Sequence, residues 1–238
     1  MSLTIQTPDG NFQCYVASPS QPGTYPVLVV LQEIFGVNAG IRSIADDYAA
    51  KGFIAVSPDL FWRAEPGLSM SEASEGDWAK GFALYSAYDF DKGVQDIIAT
   101  VAAARNINID DKGFRKGNGF VGVTGYCLGG LLTFLTAARS RADAFVAYYG
   151  GGTEKYVGEA KNIQDPMIYH LAEEDEYINK DAQAAIKASL AGKSNVSVYS
   201  YPGRNHAFAR PGGSHFHAGD AALANGRTDA FFKQQLAL

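Results

Sequence analysis

Cysteine is scarce in this 238-residue chain, with only Cys14 and Cys127. Two are too few for a disulfide scaffold, and neither lies in a Cys-x-x-Cys pair or a zinc-ligand spacing. No apolar run approaches the roughly 18 residues that a membrane-spanning helix needs. Positive charge is in deficit, with 20 Lys and Arg against 25 Asp and Glu and a net charge of −5. That balance leaves no electrostatic footprint for nucleic acid or an anionic membrane. The N-terminal Met1-Ser2-Leu3-Thr4-Ile5 lacks the basic and apolar regions of a secretory signal. No internal repeat, low-complexity tract or linker divides the chain. These absences point to a reduced, cytoplasmic protein built as one domain over residues 1–238.

Hydrophobic residues make up 47% of the chain, enough for a sizeable core and against disorder. Strand patterns fall at 11–17, 26–31, 53–57, 119–124, 144–149, 166–171 and 196–201, several of them continuous apolar runs. Helical spacing links Ile41, Ile44, Ala45, Tyr48 and Ala49 behind an Asn38 cap, and it recurs at Val94–Ala102, Ala182–Leu190 and Thr228–Leu236. Alternating strands and helices predict an α/β fold, a mostly parallel sheet with helices on both faces and right-handed crossovers. Ligands then bind beyond the carboxyl ends of the strands. Segment 61–85, rich in polar residues, reads as an excursion over that edge, too short for a large cap domain.

One six-residue stretch is the most informative. Gly125-Tyr126-Cys127-Leu128-Gly129-Gly130 follows the run Phe120-Val121-Val123-Thr124 and opens the apolar pattern Leu131, Leu132, Phe134, Leu135. Strand, Gly-x-nucleophile-x-Gly, helix resembles the nucleophile elbow of the α/β-hydrolase fold, with cysteine where serine is usual. Cys127 would stand at a helix N-terminus, where unpaired N–H groups and the helix dipole favour a thiolate. A buried cysteine in an ordinary strand-turn-helix connection is the competing reading; the order of the remaining groups weighs against it. After Cys127 come the acidic cluster Glu173-Glu174-Asp175-Glu176 and then His206, each beyond a strand pattern, in the order nucleophile, acid, histidine. Asp175 is chosen from the cluster because its short side chain suits a tight loop, and the other three carboxylates read as solvated. His170, His215 and His217 read as turn or packing residues, and the His215/His217 pair lacks further ligands, so no metal site is expected. An oxyanion hole needs two N–H groups; Leu128 follows the nucleophile, and Ile34 lies in the early loop Gln32-Glu33-Ile34-Phe35-Gly36.

Leu31-Gln-Glu-Ile-Phe-Gly36, Val56-Ser-Pro-Asp-Leu60, Asp89-Phe-Asp-Lys-Gly-Val94, Gly125-Tyr-Cys-Leu-Gly-Gly130 and His206-Ala-Phe-Ala-Arg210 together resemble the dienelactone hydrolase family over nearly the whole chain. The resemblance implies a catalytic set of Cys127, Asp175, His206 and Glu33. Glu33 would partner the resting thiol and shift when substrate binds. It also implies a substrate-binding set of Arg210, Trp78, Tyr149 and Phe35. Arg210 matches one of two arginines that hold a substrate carboxylate. Trp78 stands where the second would be, with Lys80 or Arg63 as cations that could replace it.

The expected activity is hydrolysis of a carboxylic ester or lactone through a Cys127 thioester, without cofactor or metal. The family substrate would be an enol-lactone bearing a carboxylate, from aromatic-ring degradation. The partner is this small molecule, and the protein itself is expected to be a monomer or a weak homo-oligomer. The alternatives are a broad-specificity esterase on neutral esters, a non-catalytic hydrolase-fold binding protein, and a thiol redox sensor built on Cys127 that lacks an adjacent resolving cysteine.

Overall fold

The computed structural model describes residues 1–110 and 114–238. Its strands are β1 (Ser2–Thr7), β2 (Gly10–Ala17), β3 (Gly23–Leu31), β4 (Ile54–Pro58), β5 (Arg115–Tyr126), β6 (Ala144–Tyr148), β7 (Met167–Ala172) and β8 (Val196–Tyr201). The helices are α1 (Ala39–Ala50), α2 (Glu75–Ser86), α3 (Phe90–Ala104), α4 (Leu128–Arg139), α5 (Lys180–Leu190) and α6 (Ala218–Gln235), and Thr153–Asn162 forms tighter 3-10 turns. All eight strands join one sheet in the order β1-β2-β4-β3-β5-β6-β7-β8. The β1-β2 and β2-β4 pairs are antiparallel and the rest parallel.

Burial explains the apolar runs. Every residue of β6 and β7 is buried, as is Pro26–Leu31 of β3, because helices cover both faces. On one face α1 and α6 meet through Tyr48 and Phe232, whose ring centroids lie 6.4 Å apart. On the other, α3 and α4 pack against the sheet and each other. Asn38 caps α1 as expected, its Oδ1 accepting from Ile41 N–H at 3.1 Å. Among the described residues no helix is long and apolar enough to cross a membrane.

Cross-strand aromatic pairs fix the register where it matters. Tyr126, Tyr148, His170 and Tyr199 sit opposite one another on β5, β6, β7 and β8. Their rings follow in sequence, with centroid separations of 4.7, 4.4 and 5.7 Å. A one-residue slip would turn each of them to the other face. This row lies under the carboxyl ends of the strands, so it sets the height of the loops that follow.

The structure adds to the sequence reading at three places. β1 is a strand missed in the pattern; it forms a hairpin with β2 through Pro8-Asp9, and Ile5 faces the core. β5 begins at Arg115, earlier than residue 119. The excursion 61–85 carries helix α2, capped by Ser74, whose Oγ accepts from Asp77 N–H at 3.2 Å. Gly76 and Gly81 lower the helix propensity of this stretch, which hides it.

His170 makes stability depend on pH. It is fully buried, with Nε2 3.0 Å from Thr228 Oγ1 and Nδ1 2.8 Å from the Tyr201 hydroxyl. Burial, helped by the charge of Arg227, pushes its pKa from 6.5 down to about 3. The unfolded chain therefore binds a proton that the folded chain refuses. Stability is intact above pH 6.5 and falls as the pH drops toward 3, by about 1.4 kcal/mol per unit from this group. Urea unfolding at pH 6.5 and pH 5 should show a loss of about 2 kcal/mol, and His170→Gln should flatten that slope. Equal slopes in both proteins would remove His170 from the account.

Candidate active site

Cys127 occupies the single residue between β5 and α4, with φ 54° and ψ −114°. That backbone is strained for a residue with a Cβ and persists only where its surroundings dictate it. The surroundings are backbone against backbone. A Cβ at Gly125 would lie 2.2 Å from the Gly129 oxygen, and one at Gly129 would lie 2.6 Å from the Leu31 oxygen. Gly129 N–H donates to the Gln32 carbonyl at 3.0 Å, and Cys127 N–H to that of Tyr148 at 3.1 Å. The elbow is thus fastened to the strands on either side of it.

β3 and β5 are neighbours from which the chain departs in opposite directions across the sheet, so a topological switch point lies between them. The loop after β3 and the elbow after β5 frame it. Ile34 lies in the first and Leu128 in the second, and the backbone N–H of each donates to no other group among the described residues. Gln32 steadies the loop, its buried side chain accepting from Leu60 N–H at 3.0 Å. Asn38 Nδ2 ties the excursion down through the Met70 carbonyl at 3.1 Å.

Asp175 and His206 arrive from the ends of β7 and β8. Asp175 is buried while Glu174 and Glu176 are exposed and Glu173 is half-buried. Its Oδ1 accepts from Tyr177 and Ile178 N–H at 2.9 and 3.1 Å. Both its oxygens reach His206 Nδ1, at 3.1 and 2.9 Å. Nε2 of His206 is buried and has no partner at hydrogen-bond geometry. Burial alone would lower the His206 pKa. The electrostatic influence of Cys127, followed by the bond to Asp175, outweighs it and pushes the pKa up to about 10. Tyr149 and Tyr177 clamp the imidazole edge-on, with ring centroids 5.1 and 4.9 Å away.

Glu33 is buried and bonds Arg210, with Oε2 2.6 Å from Nε, while Oε1 has no partner. The resemblance puts Glu33 on the resting thiol; in this arrangement it is held by the guanidinium instead, the stronger partner for a buried carboxylate. Glu72 Oε2 lies 4.0 Å from the same Arg210 Nε, and burial raises the pKa of Glu72. Phe35 lies under the guanidinium at 5.4 Å and against Trp78 at 4.8 Å.

A cavity of about 230 Å³ opens beside Cys127 and His206, walled by Trp78, Phe82, Tyr85 and Tyr177, with Ile34 and Arg210 also reaching it. Phe35 and Tyr149, expected to touch substrate, are fully buried behind this wall. Lys80 and Arg63 do not line it: Lys80 pairs with Glu65 at 2.6 Å, and Arg63 grips the buried Asp96. Neither replaces the missing arginine, because each is already neutralised elsewhere. Phe82, Tyr85 and Tyr177 were not anticipated. The spacing of Trp78, Phe82 and Tyr85 on α2 is the helical signal that could have found the first two.

A strained strand-to-helix elbow at the switch point of such a sheet, with Asp and His at the ends of later strands, defines an α/β-hydrolase. The family model of the dienelactone hydrolases matches residues 12–236, and the chain belongs to that family. A protein of Azospirillum brasilense with the provisional name carboxymethylenebutenolidase is 44% identical, over 96% of this chain and 95% of its own. The carboxymethylenebutenolidase of Pseudomonas putida is 35% identical, over 94% and 92%. A crystal structure from Klebsiella pneumoniae, provisionally described as a dienelactone hydrolase, matches with a TM-score of 0.82 at 25% identity over 98% of both chains. The protein is an enzyme, a hydrolase of carboxylic esters or lactones.

The proton on His206 offers a direct measurement. Removing the Cys127 charge in Cys127→Ala should lower the His206 pKa from about 10 by about one unit or more. An NMR titration of the imidazole reads it. An unmoved midpoint would mean that the sulfur exerts no charge on the ring.

Proposed function

We propose that Cys127 is the nucleophile, His206 the acid and base, and Asp175 the carboxylate that orients the imidazole. The observation that carries this reading is the bond from Asp175 to His206 Nδ1 at 2.9 Å, with Nε2 left free beside a cavity that Cys127 also lines. An imidazolium that keeps its proton to about pH 10 suits a thiolate–imidazolium pair. The thiolate attacks the carbonyl carbon and the oxyanion forms against the Ile34 and Leu128 N–H groups. His206 Nε2 gives its proton to the leaving oxygen. It then takes a proton from the water that cleaves the thioester and returns the thiolate. Glu33 is assigned the thiol proton when the pair is neutral, and its buried, unpartnered Oε1 supports that.

The names of the relatives direct attention to an enol-lactone bearing a carboxylate. Arg210 would hold that carboxylate, but its Nε is already on Glu33 and Glu72 stands close by. With Trp78 in place of a second arginine, the site accepts neutral esters well, which favours the broad-specificity reading beside the lactone one. The reading also takes residues 1–238 as one catalytic unit, monomeric or weakly self-associating, in the reduced cytoplasm.

Cys127→Ala should abolish turnover with the fold retained, and Cys127→Ser should be severely impaired; near-normal hydrolysis by Cys127→Ala would sink the nucleophile assignment. Glu33→Gln should slow thioester formation in rapid-mixing experiments, and an unchanged rate would reduce Glu33 to a tether for Arg210. For a lactone carrying a carboxylate and its methyl ester, kcat/KM should differ by less than about tenfold, since one unshared charge-assisted contact is worth about 1.5–3 kcal/mol. Trp78→Arg should shift the preference toward the acid. A strong preference for the acid that vanishes only in Arg210→Ala would show that Arg210 suffices alone.

A further inference from the structure

A second cavity, about 330 Å³, adjoins the first. His206, Trp78, Phe82, Tyr177 and Arg210 line both; Cys127 lines only the first, while Glu176, Ser214 and His215 line only the second. We propose that this second cavity is a leaving-group subsite, and that it takes the uncharged aromatic alcohol of an open-chain ester. The inference rests on the catalytic reading of Cys127 and His206.

The chemistry assigns the two sides. Attack by sulfur places the acyl carbon next to Cys127, with its oxygen at Ile34 and Leu128, so the acyl group fills the first cavity. The leaving oxygen must lie where His206 Nε2 can protonate it. Whatever that oxygen carries then extends into the space that touches His206 and not Cys127. The carbon–sulfur bond forms, the carbon–oxygen bond breaks, and the proton of Nε2 goes to the departing alkoxide. A lactone keeps its leaving oxygen tethered to the acyl chain and needs no second chamber.

The shared wall indicates what the chamber holds. Trp78, Phe82 and Tyr177 form a continuous row, with centroids 5.7 and 6.0 Å apart. Phe82 and Tyr177 are 41% and 45% exposed, and because they adjoin one another in this row they offer a flat group a joined aromatic surface. At the rim, Glu176 opposes an anionic alcohol, and the Ser214 hydroxyl can accept from or donate to a hydroxyl group.

The test compares a methyl ester, the 2-naphthylmethyl ester of the same acid, and a lactone, so that leaving-group basicity is nearly constant. Wild type should favour the naphthylmethyl over the methyl ester by about tenfold or more in kcat/KM, mainly through KM. Ser214→Trp, which fills the chamber from its rim, should cut the ratio of naphthylmethyl ester to lactone by about tenfold. Glu176→Trp repeats the block from another side if the first variant folds poorly. A wild-type enzyme indifferent to the alcohol, or ratios unmoved in both variants while Cys127→Ala is inactive, would overturn the subsite alone. Turnover by Cys127→Ala would overturn the catalytic reading and the subsite with it.

Discussion

The close approach of three backbones at the elbow governs the rest of this molecule. β5, α4 and the loop after β3 come together at Gly125 and Gly129, where a single added Cβ would fall within 2.2 and 2.6 Å of carbonyl oxygens. Nothing larger than hydrogen fits, so the strand turns into the helix in one residue and Cys127 is forced to φ 54°. That turn places Cys127 beyond the end of β5, and among the described residues the Leu128 N–H donates to no group. The bond from Gly129 N–H to the Gln32 carbonyl ties the loop that carries Ile34 to the elbow, and Ile34 lines the same cavity as Cys127. Cys127 and the backbone of Leu128 are therefore positioned by one steric constraint.

Two buried ion pairs flank the thiol and have different purposes. Asp175 bonds His206 at Nδ1, which orients the ring and leaves Nε2 without a partner at hydrogen-bond geometry. Glu33 and Arg210 neutralise each other where an isolated charge would be costly, and Glu72 adds a second carboxylate to the same guanidinium. Two acids on one base leave little positive charge for a substrate. The cavity wall is correspondingly rich in aromatic rings, among them Trp78, Phe82, Tyr85 and Tyr177.

The parts of the fold and site that could be read from the sequence are those written in short-range patterns. Uninterrupted apolar runs marked β3, β6 and β7 because burial on both faces leaves no polar alternation, and Asn38 marked the start of α1. The elbow, Asp175 and His206 stood out because glycine spacing and chain order are local or sequential signals. The ring stack from Tyr126 to Tyr199 was invisible, since it exists only once four strands are in register. The pairing of Glu33 with Arg210 spans 177 residues and has no local signature. α2 was hidden for another reason. Its apolar face lies over a half-open cavity, so the residues around Trp78 and Phe82 lack the dense hydrophobic repeat of a core helix.

Chemistry and selectivity consequently belong to different parts of the chain. The elbow, the loop after β3 and the ends of β7 and β8 are anchored by a sheet whose register is locked by stacked rings. α2 is an addition tied down by the Tyr85 hydroxyl, which donates to the Gly151 carbonyl at 3.1 Å, and through the segment before it by Asn38 to Met70. Trp78 and Phe82 line the cavity from α2, apart from the backbone contacts at Gly125 and Gly129 that set Cys127. Arg210 is the exception, since it lines the cavity while its Nε holds Glu33. Any substrate group that competes for its guanidinium therefore competes with Glu33 for the same donor.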